Sequence, residues 1–300
     1  MTGARAGLVD YLVLFALGAL WGSSFIFTKI AVADIPPATQ TAYRLIGGMV
    51  VIWALFFVIG GSMPRRLKTH LLVAFSGILG TGLPFYLIAW GQMVVPPGLT
   101  AILLAVMPLL TLVFAHFFTT DERFSSKKAA GVSIGFIGTV ILVGPVLLAG
   151  LGSDITRQLA VLLAASCYAA NTIVTKAILH VPPIPLVCLS ITYGMIPVVV
   201  GAFIFDGPFH LAYSFEALSA VAILSVFHTV LATFMLVFLI SRQGATFFSQ
   251  INLLVPIFGV GWAFLIFGEQ PGANDALALL LILTGIAVAR GGLQPSQTGT

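Results

Sequence analysis

The chain has 300 residues, of which 59% are hydrophobic and only 7% are charged, whereas about a quarter of the residues in an ordinary soluble domain carry charge. This composition excludes a soluble globular fold and predicts an integral membrane protein. The formal net charge of +4 does not indicate a nucleic-acid-binding protein, because the basic residues lie in short loops rather than on one solvated surface.

Apolar runs follow one another along the chain, each of about 20 residues, which is the length that a helix needs to cross about 30 Å of hydrocarbon. They are too long for the alternating strands of a membrane barrel, which run over about 10 residues. The first run is interpreted as a retained span rather than a cleaved signal peptide. Ten transmembrane helices are predicted, near residues 11–32, 38–60, 71–93, 97–118, 129–149, 158–179, 184–205, 215–240, 244–267 and 274–291.

Basic residues are concentrated in alternate loops of this predicted topology. Nine of them share one side of the membrane, whereas Arg157 is the only basic residue in the opposite loops. The positive-inside rule therefore predicts that both termini are cytoplasmic. The nine basic residues are Arg5, Arg65, Arg66, Lys68, Arg123, Lys127, Lys128, Arg242 and Arg290, and the acidic residues in the opposite loops are Asp34, Asp154, Asp206, Glu269 and Asp275.

The two halves of the chain are related by an offset of 147 residues. Residues 21–29, WGSSFIFTK, align with residues 168–176, YAANTIVTK, and at the same offset Glu122 aligns with Glu269. Each half holds five predicted spans, and an odd number gives the second half the opposite orientation. Such inverted repeats are typical of transporters that open a central site to alternate sides. The predicted units are residues 1–149, residues 150–293 and a disordered polar tail at residues 294–300.

Several short motifs, spread over nearly the whole chain, combine glycine, proline, aromatic and charged residues. They are Ala19-Leu20-Trp21-Gly22-Ser23-Ser24-Phe25, Tyr43-Arg44, Met107-Pro108, and the stretches from Glu122 to Gly138 and from Gly268-Glu269 to Gly285. On these motifs the chain resembles the drug/metabolite transporter superfamily, in particular its EamA-like group of ten-helix bacterial permeases, and is similar to bacterial aromatic amino-acid exporters. The resemblance implies a permease of the bacterial inner membrane for amino acids or related metabolites, frequently an exporter, and leaves the substrate open.

Polar side chains inside a span must face a partner helix or a wet cavity, because hydrocarbon offers them no hydrogen-bond partner. Three such positions on the first span lie at i, i+3 and i+7, and so do their equivalents on the sixth, so each set occupies one helical face. Both faces are predicted to line a central substrate cavity, although Ser and Thr also serve simply to pack helices together. The residues are Trp21, Ser24, Thr28, Tyr168, Asn171 and Thr175.

Three other spans supply further candidates for the substrate site. Tyr86 and Trp90 lie one turn apart and form an aromatic wall for an apolar or planar substrate, with an interfacial aromatic belt as the alternative for Trp90. His228 lies midway along the eighth span, where it either binds substrate, responds to protons near its ordinary pKa of about 6.5, or packs as a neutral hydrogen-bonded side chain. Gln250, in the ninth span, carries an amide that suits a zwitterionic substrate.

Charged residues are rare within the predicted spans. Arg44 lies within two turns of one end of the second span, where it either extends to the interface or pairs with a carbonyl or a substrate carboxylate. No Asp or Glu lies in the middle third of any predicted span, so the carboxylate that usually couples transport to protons or sodium is missing. The sequence therefore favours facilitated diffusion or exchange with weak or no ion coupling.

Two other classes of function are alternatives to transport. An intramembrane enzyme needs a nucleophile with its base, and Ser225 with His228, three residues apart, is a conceivable pair. A channel needs a filter or a ring of charged groups, which the sequence does not contain. The prediction is therefore a non-enzymatic exporter or facilitator without cofactor or metal. Its predicted partners are a small-molecule substrate and the lipid bilayer, with no nucleic acid and no required oligomer.

Overall fold

Helices make up all of the regular structure that can be described. The structure is a computed structural model, and it describes residues 7–118, 126–148, 152–178, 180–207, 209–248 and 251–290. No strand occurs within these ranges. Seven helices in them are long and apolar enough to cross a membrane, and three shorter apolar stretches lie at Ala129–Gly138, Leu254–Phe267 and Ala273–Val288. The prediction of an all-α membrane protein is confirmed.

Thirteen α-helices and two short π-helical segments are present in the described ranges. Helix α3, the segment π1 and helix α4 form one continuous helix, and so do α10, π2 and α11. Only a turn separates α5 from α6. The elements are α1 Leu8–Val32, α2 Pro37–Ile59, α3 Leu67–Gly77, π1 Ile78–Gly82, α4 Leu83–Gln92, α5 Pro97–Leu104, α6 Met107–Phe118, α7 Ser126–Leu148, α8 Gly152–Lys176, α9 Pro183–Phe205, α10 Phe215–Ile223, π2 Leu224–Leu231, α11 Ala232–Phe248, α12 Ile251–Phe267 and α13 Ala273–Arg290.

Proline pairs mark where several of these helices begin. Helices α2, α5 and α9 each have proline as the first residue, namely Pro37, Pro97 and Pro183. Proline suits this position because its ring fixes φ near the helical value and its missing N–H would have no partner there. The largest difference from a predicted boundary is at α11, which continues to Phe248 instead of ending near residue 240. That segment contains no proline, and a single glycine does not end a helix.

The two π-helical segments lie at equivalent places in the two halves. Shifted by the offset of 147 residues, Ile78–Gly82 corresponds to residues 225–229, inside Leu224–Leu231. In π1 the amide of Leu83 bonds to the carbonyl of Ile78, five residues earlier. In π2 the hydroxyl of Thr229 donates to the carbonyl of Leu224 at 3.0 Å, also five residues earlier. Such π segments are rare and occur frequently at functional sites.

Each π segment is crossed at close range by a helix from the other half of the chain. Gly194 on α9 faces π1, and a Cβ added there would lie 2.5 Å from the carbonyl oxygen of Gly77. Gly47 on α2 faces π2, and a Cβ added there would lie 2.7 Å from the hydroxyl oxygen of Ser225. The two glycines are themselves 147 residues apart. Only a residue without a side chain lets the backbones approach this closely.

A second close crossing joins α7 and α13, the last helix of each half. A Cβ added to Gly285 would lie 2.5 Å from the carbonyl oxygen of Gly131. A Cβ added to Gly138 would lie 3.0 Å from the carbonyl oxygen of Ala278. Because Gly285 is equivalent to Gly138 and Ala278 to Gly131, the contact is made twice with the roles of the helices exchanged. Equivalent faces of α7 and α13 therefore pack against each other, as in the contact between two copies related by a twofold axis.

The crossing of α9 over π1 makes Gly194 sensitive to a single methyl group. We expect Gly194→Ala to lower the free energy of unfolding by about 1–3 kcal/mol, the usual cost of overpacking. Gly201→Ala is the matched control on the same helix, because the nearest atom to its Cβ is 3.9 Å away. Thermal denaturation in detergent should show a lower Tm for Gly194→Ala only. Equal Tm values for the two variants would show that this crossing is not tight.

Candidate functional site

Arg44 lies where α2 crosses π2. Its side chain is only 7% exposed, its Nε donates a hydrogen bond to the Thr229 hydroxyl at 3.3 Å, and its guanidinium carbon is 3.8 Å from the centre of the Phe85 ring. Among the described residues, no acidic side chain forms a salt bridge with it. Of the two alternatives for this residue, extension to the interface is not observed.

His228 lies on π2, beside Arg44, and its side chain is 4% exposed. Its Nε2 is 2.9 Å from the hydroxyl oxygen of Ser23, and its Nδ1 is 3.3 Å from the carbonyl oxygen of Ile223. The ring packs against Phe27 with 5.3 Å between the centroids. Both ring nitrogens therefore have partners, as expected for a packed histidine, and the contact with Ser23 joins the two halves of the chain.

Asn171 on α8 faces the segment π1. Its Oδ1 accepts a hydrogen bond of 2.7 Å from the hydroxyl of Ser76 and a longer one of 3.5 Å from Thr175. A Cβ added to Gly80 would lie 2.5 Å from the Asn171 Nδ2. Gly80 lies within π1. The amide side chain of Asn171, in the second half of the chain, therefore packs against the π segment of the first half. Ser23 and His228 on π2 likewise form a polar contact between the two halves, at positions that the offset of 147 does not relate to Asn171 and Ser76.

An aromatic cluster lies between α4 and α8. Tyr86, Trp90 and Tyr168 all pack against the same buried apolar side chains, which include Leu87 and Ala164. Arg44 is close enough to Tyr168 for electrostatic interaction between them, and close enough to His228 as well. Tyr168 and His228, two predicted site residues from the second half, thus lie within electrostatic range of an arginine of the first.

The predicted face of α1 makes different contacts. The hydroxyl of Ser24 donates to the carbonyl of Trp21 at 2.7 Å, and the hydroxyl of Thr28 donates to the carbonyl of Ser24 at 2.8 Å. Both hydroxyls are therefore bonded within their own helix. Trp21 packs edge-on against Phe248, with 6.1 Å between ring centroids. These contacts fit the helix-packing alternative, and the neighbouring Ser23 is the α1 hydroxyl that reaches His228.

An open cavity of about 540 Å³ lies at the end of the bundle that carries Asp34 and Asp206, here called the acidic end. Tyr86 and Trp90 are among its lining residues. The guanidinium of Arg157 stacks 3.9 Å above the Trp90 ring and also donates to the Trp90 carbonyl. Trp90 therefore lies near the surface at this end, and Tyr86 connects the cavity to the aromatic cluster.

Two charged groups join helix ends at the acidic end. Lys29 donates to the carbonyl oxygens of Gln92, at 2.7 Å, and Met93, at 3.3 Å. Glu269 accepts a 3.0 Å hydrogen bond from the amide of Gly98, at the start of α5. A cation at a helix C-terminus and an anion at a helix N-terminus both match the helix dipole. Burial raises the pKa of Glu269 above its ordinary value of 4.5, although Gly98 and Lys29 both act to lower it.

The opposite end of the bundle is closed by a polar contact between α1 and α11. Asp10, 1% exposed, accepts hydrogen bonds of 2.8 Å from Arg242 Nε and 2.7 Å from Gln243 Nε2. The amide of Gly7 donates to the same carboxylate at 3.0 Å. Asp10 thus links the first half of the chain to the second at the end where the basic loops lie.

One predicted site residue, Gln250, lies outside the residues that the structure describes. Within the ranges that can be described, no group of three or more His, Cys, Asp or Glu side chains is placed to hold a metal ion. Cys167 and Cys188 are both buried and unbridged, and buried free cysteines usually act as small packing residues.

The raised pKa of Glu269 predicts a pH-dependent stability. Because the folded-state pKa lies above the unfolded value, this carboxyl contributes its full stability below about pH 4.5 and loses it as the pH rises through the folded-state pKa. Glu269→Gln keeps an oxygen acceptor for Gly98 without the buried charge. We therefore expect a higher Tm than the parent at about pH 8 and a smaller difference at about pH 4.

Thermal denaturation in detergent across this pH range measures the Tm of both proteins. Glu216→Gln, at an exposed carboxylate in the first turn of α10, is the control and should leave the pH profile unchanged. A Tm difference between Glu269→Gln and the parent that grows toward acid pH would contradict the assignment.

The fold and the sequence have relatives among known proteins. A probable amino-acid metabolite efflux pump of Escherichia coli (strain K12) is 26% identical over 307 residues, covering 95% of this chain and 96% of the pump. The uncharacterized inner membrane transporter YedA of the same organism is 30% identical over 131 residues, 43% of this chain and 42% of YedA. A protein crystal structure with 20% identity has the same fold, with a TM-score of 0.67 over 96% of this chain and 99% of that one.

The family comparison covers both halves. The EamA-like transporter family matches the chain twice, over residues 9–144 and again over residues 156–291. The matched ranges together take in most of the 300 residues, and they overlap every described helix from α1 to α13. These residues carry the resemblance to the drug/metabolite transporter superfamily noted in the sequence. The chain belongs to the EamA-like transporter family and is a multi-pass membrane transporter.

Proposed function

We propose that the chain moves amino acids or related small metabolites, with aromatic or apolar side groups, across the bacterial inner membrane. It works as an exporter or facilitator by alternating access. The observation that carries this proposal is the polar and aromatic site around Arg44, Tyr168 and His228, which is enclosed by the π segments and by helices from both halves. A site that both halves share is what a rocking mechanism needs.

The architecture proposed for this function is ten transmembrane helices in two inverted repeats, residues 1–149 and 150–293. Three observations support it. The two family matches begin at residues 9 and 156, which are 147 apart. The two π segments lie at equivalent positions. The contact of α7 with α13 is made twice with exchanged roles, as a twofold relation between the halves requires.

The π segments are the proposed hinges of the transport cycle. Each interrupts the regular hydrogen bonding of a membrane helix at the depth of the candidate site, and each packs on a glycine of the opposite half. Mid-helix interruptions of this kind are places where a helix can bend. Glu269 with Lys29 at the acidic end, and Asp10 with Arg242 at the other, hold the ends together in this conformation.

The substrate class is inferred from the lining and from a relative. The E. coli relative is described as a probable amino-acid metabolite efflux pump. In this chain Tyr86 and Tyr168 pack against one buried apolar cluster. Asn171 lies about one turn from Tyr168 on α8, and His228 lies on π2. Rings bind apolar side groups, while amide and imidazole groups orient a polar head. An amino acid with a large apolar side group fits such a site.

Both termini are proposed to be cytoplasmic, because the basic loops lie on that side.

An intramembrane enzyme is not favoured by the contacts of its candidate pair. The hydroxyl of Ser225 donates to the carbonyl of Val221 at 2.8 Å and not to His228. His228 instead contacts Ser23, whose hydroxyl is also 2.8 Å from the carbonyl of Leu20. A nucleophile must pass its proton to the base, and here a backbone carbonyl competes for that proton. We therefore propose a carrier without catalytic activity, acting without a cofactor and without a required oligomer.

Transport into vesicles that contain only the purified protein tests this function. We expect saturable uptake of radiolabelled phenylalanine, tyrosine or leucine with no imposed ion gradient. Asn171→Ala should raise the KM for uptake roughly three- to tenfold, the effect of losing one polar contact of about 0.5–1.5 kcal/mol. Tyr168→Ala should weaken uptake further, because it removes an aromatic contact surface.

Thr172→Ala is the matched control on the same helix. Thr172 is exposed and its hydroxyl bonds within α8, so this variant should behave like the parent. Uptake that is equally impaired in all three variants would speak against a site on this face of α8. Absence of flux for every amino acid in folded preparations would contradict the proposed substrate class.

A further inference from the structure

We propose that Arg44 binds the carboxylate of the transported molecule, so that the substrates of this carrier are monocarboxylates with an apolar or aromatic side group. This inference rests on the proposed transport function and names the group that the site recognises. The juxtaposition behind it is a buried guanidinium between α2, the Phe85 ring and π2, without an acidic partner among the described residues.

The depth of Arg44 in the membrane makes its charge costly. It is the eighth residue of α2, so it lies about 10 Å inside the end of that helix at 1.5 Å per residue. Its 7% exposure shows that the side chain does not extend to the interface. Arginine within a membrane span is rare, and where it occurs it faces the protein interior and pairs with an anion or with carbonyl groups.

The contacts of Arg44 fix the guanidinium without neutralising it. Thr229 accepts the Nε–H, and Phe85 covers one face of the planar group at 3.8 Å. A neutral hydroxyl and an aromatic ring hold the group in one orientation but supply no negative charge. The two terminal nitrogens make no hydrogen bond to any of the described residues. They are the part of the guanidinium that binds a carboxylate through two parallel hydrogen bonds.

Other arginines in the chain show what a structural role looks like. Arg242 pairs with the carboxylate of Asp10 at 2.8 Å. Arg157 donates to the Trp90 carbonyl and contacts the Met93 sulfur at 3.3 Å. Both lie at the ends of the bundle, where Arg242 is 52% exposed and Arg157 lines the open cavity, and both have acceptors from the protein itself. Arg44 lies deeper than either and has only Thr229, which sets it apart from the arginines that hold helices together.

The packing of the crossing does not require an arginine. The residue equivalent to Arg44 in the second half is Ile191, 147 positions later, on α9, where it packs in a buried apolar cluster. Gly194 on α9 crosses π1 as closely as Gly47 on α2 crosses π2. The same helix contact is therefore made with an aliphatic side chain at this position, and the positive charge serves something other than packing.

The surroundings of Arg44 also indicate the rest of the ligand. Tyr168 and His228 are close enough for electrostatic interaction with it. A tyrosine hydroxyl and an imidazole nitrogen can both accept hydrogen bonds. No described carboxylate is present there to bind a lone ammonium group. The site therefore suits a carboxylate with or without a neighbouring ammonium, and it disfavours an amine that lacks the carboxylate. The tyrosines and Phe85 provide the apolar surface for the side group.

Ligand-dependent thermal stabilisation of the purified protein tests this assignment. The probes are phenylalanine, 3-phenylpropionate, which lacks the ammonium, and 2-phenylethylamine, which lacks the carboxylate. We expect the two carboxylates to raise Tm and the amine to leave it unchanged. In Arg44→Gln the apparent Kd for both carboxylates should rise at least tenfold, while Arg44→Lys should retain part of the affinity because it keeps the charge but loses the two-pronged geometry.

Arg65→Gln, at an exposed loop arginine, is the control and should bind like the parent. Equal stabilisation by the amine and the carboxylates, stabilisation by neither, or unchanged carboxylate affinity in Arg44→Gln would overturn the proposal. If Arg44→Gln does not fold, the comparison of the three probes on the parent protein decides.

Vesicle flux separates this inference from the transport function. Carboxylate-selective binding without flux would support the role of Arg44 and contradict the proposed transport function. Equal flux of the amine and of phenylalanine would support the transport function and contradict the role of Arg44.

Discussion

The close contact of each π segment with a glycine of the opposite half is the constraint on which the rest of the structure depends. Gly194 on α9 lets the backbone at π1 approach, and Gly47 on α2 leaves room for the Ser225 side chain of π2, so the two halves are in close contact at the middle of the bundle. In hydrocarbon no water satisfies the backbone groups that a π segment displaces. They therefore remain bonded within the helix, with help from hydroxyls such as that of Thr229.

This constraint places the functional groups. Because α2 lies so close to π2, Arg44, three residues before Gly47, is directed into the space between the halves rather than toward lipid. His228 is brought to Ser23 for the same reason, and Asn171 to Ser76 on the other side. The contacts at the two ends differ in chemistry, with Lys29 and Glu269 at one and Asp10 and Arg242 at the other. A carrier that opens alternately has to break one set while keeping the other.

Much of this could be predicted from the sequence, and the reasons for success and failure are physical. Run length and composition determine helices in a membrane, and glycine, proline and charge patterns mark their ends, so α2 and α5 begin where the prolines indicate. The sequence did not reveal the π segments, because a change of one residue in hydrogen-bond register has no distinct side-chain pattern. A polar stripe also does not show where its hydroxyls bond. Ser24 and Thr28 bond to their own helix, whereas Ser23, which the stripe omits, reaches His228.

The central claim is that one site between the halves is presented to the two sides of the membrane in turn. Counterflow tests it most directly, because vesicles preloaded with unlabelled phenylalanine report exchange through a carrier without any imposed ion gradient. The account predicts that trace external label accumulates transiently inside to a level above that outside, and that the overshoot depends on the preload. Label that only equilibrates, at a rate linear in concentration and independent of the preload, would contradict alternating access and indicate a pore.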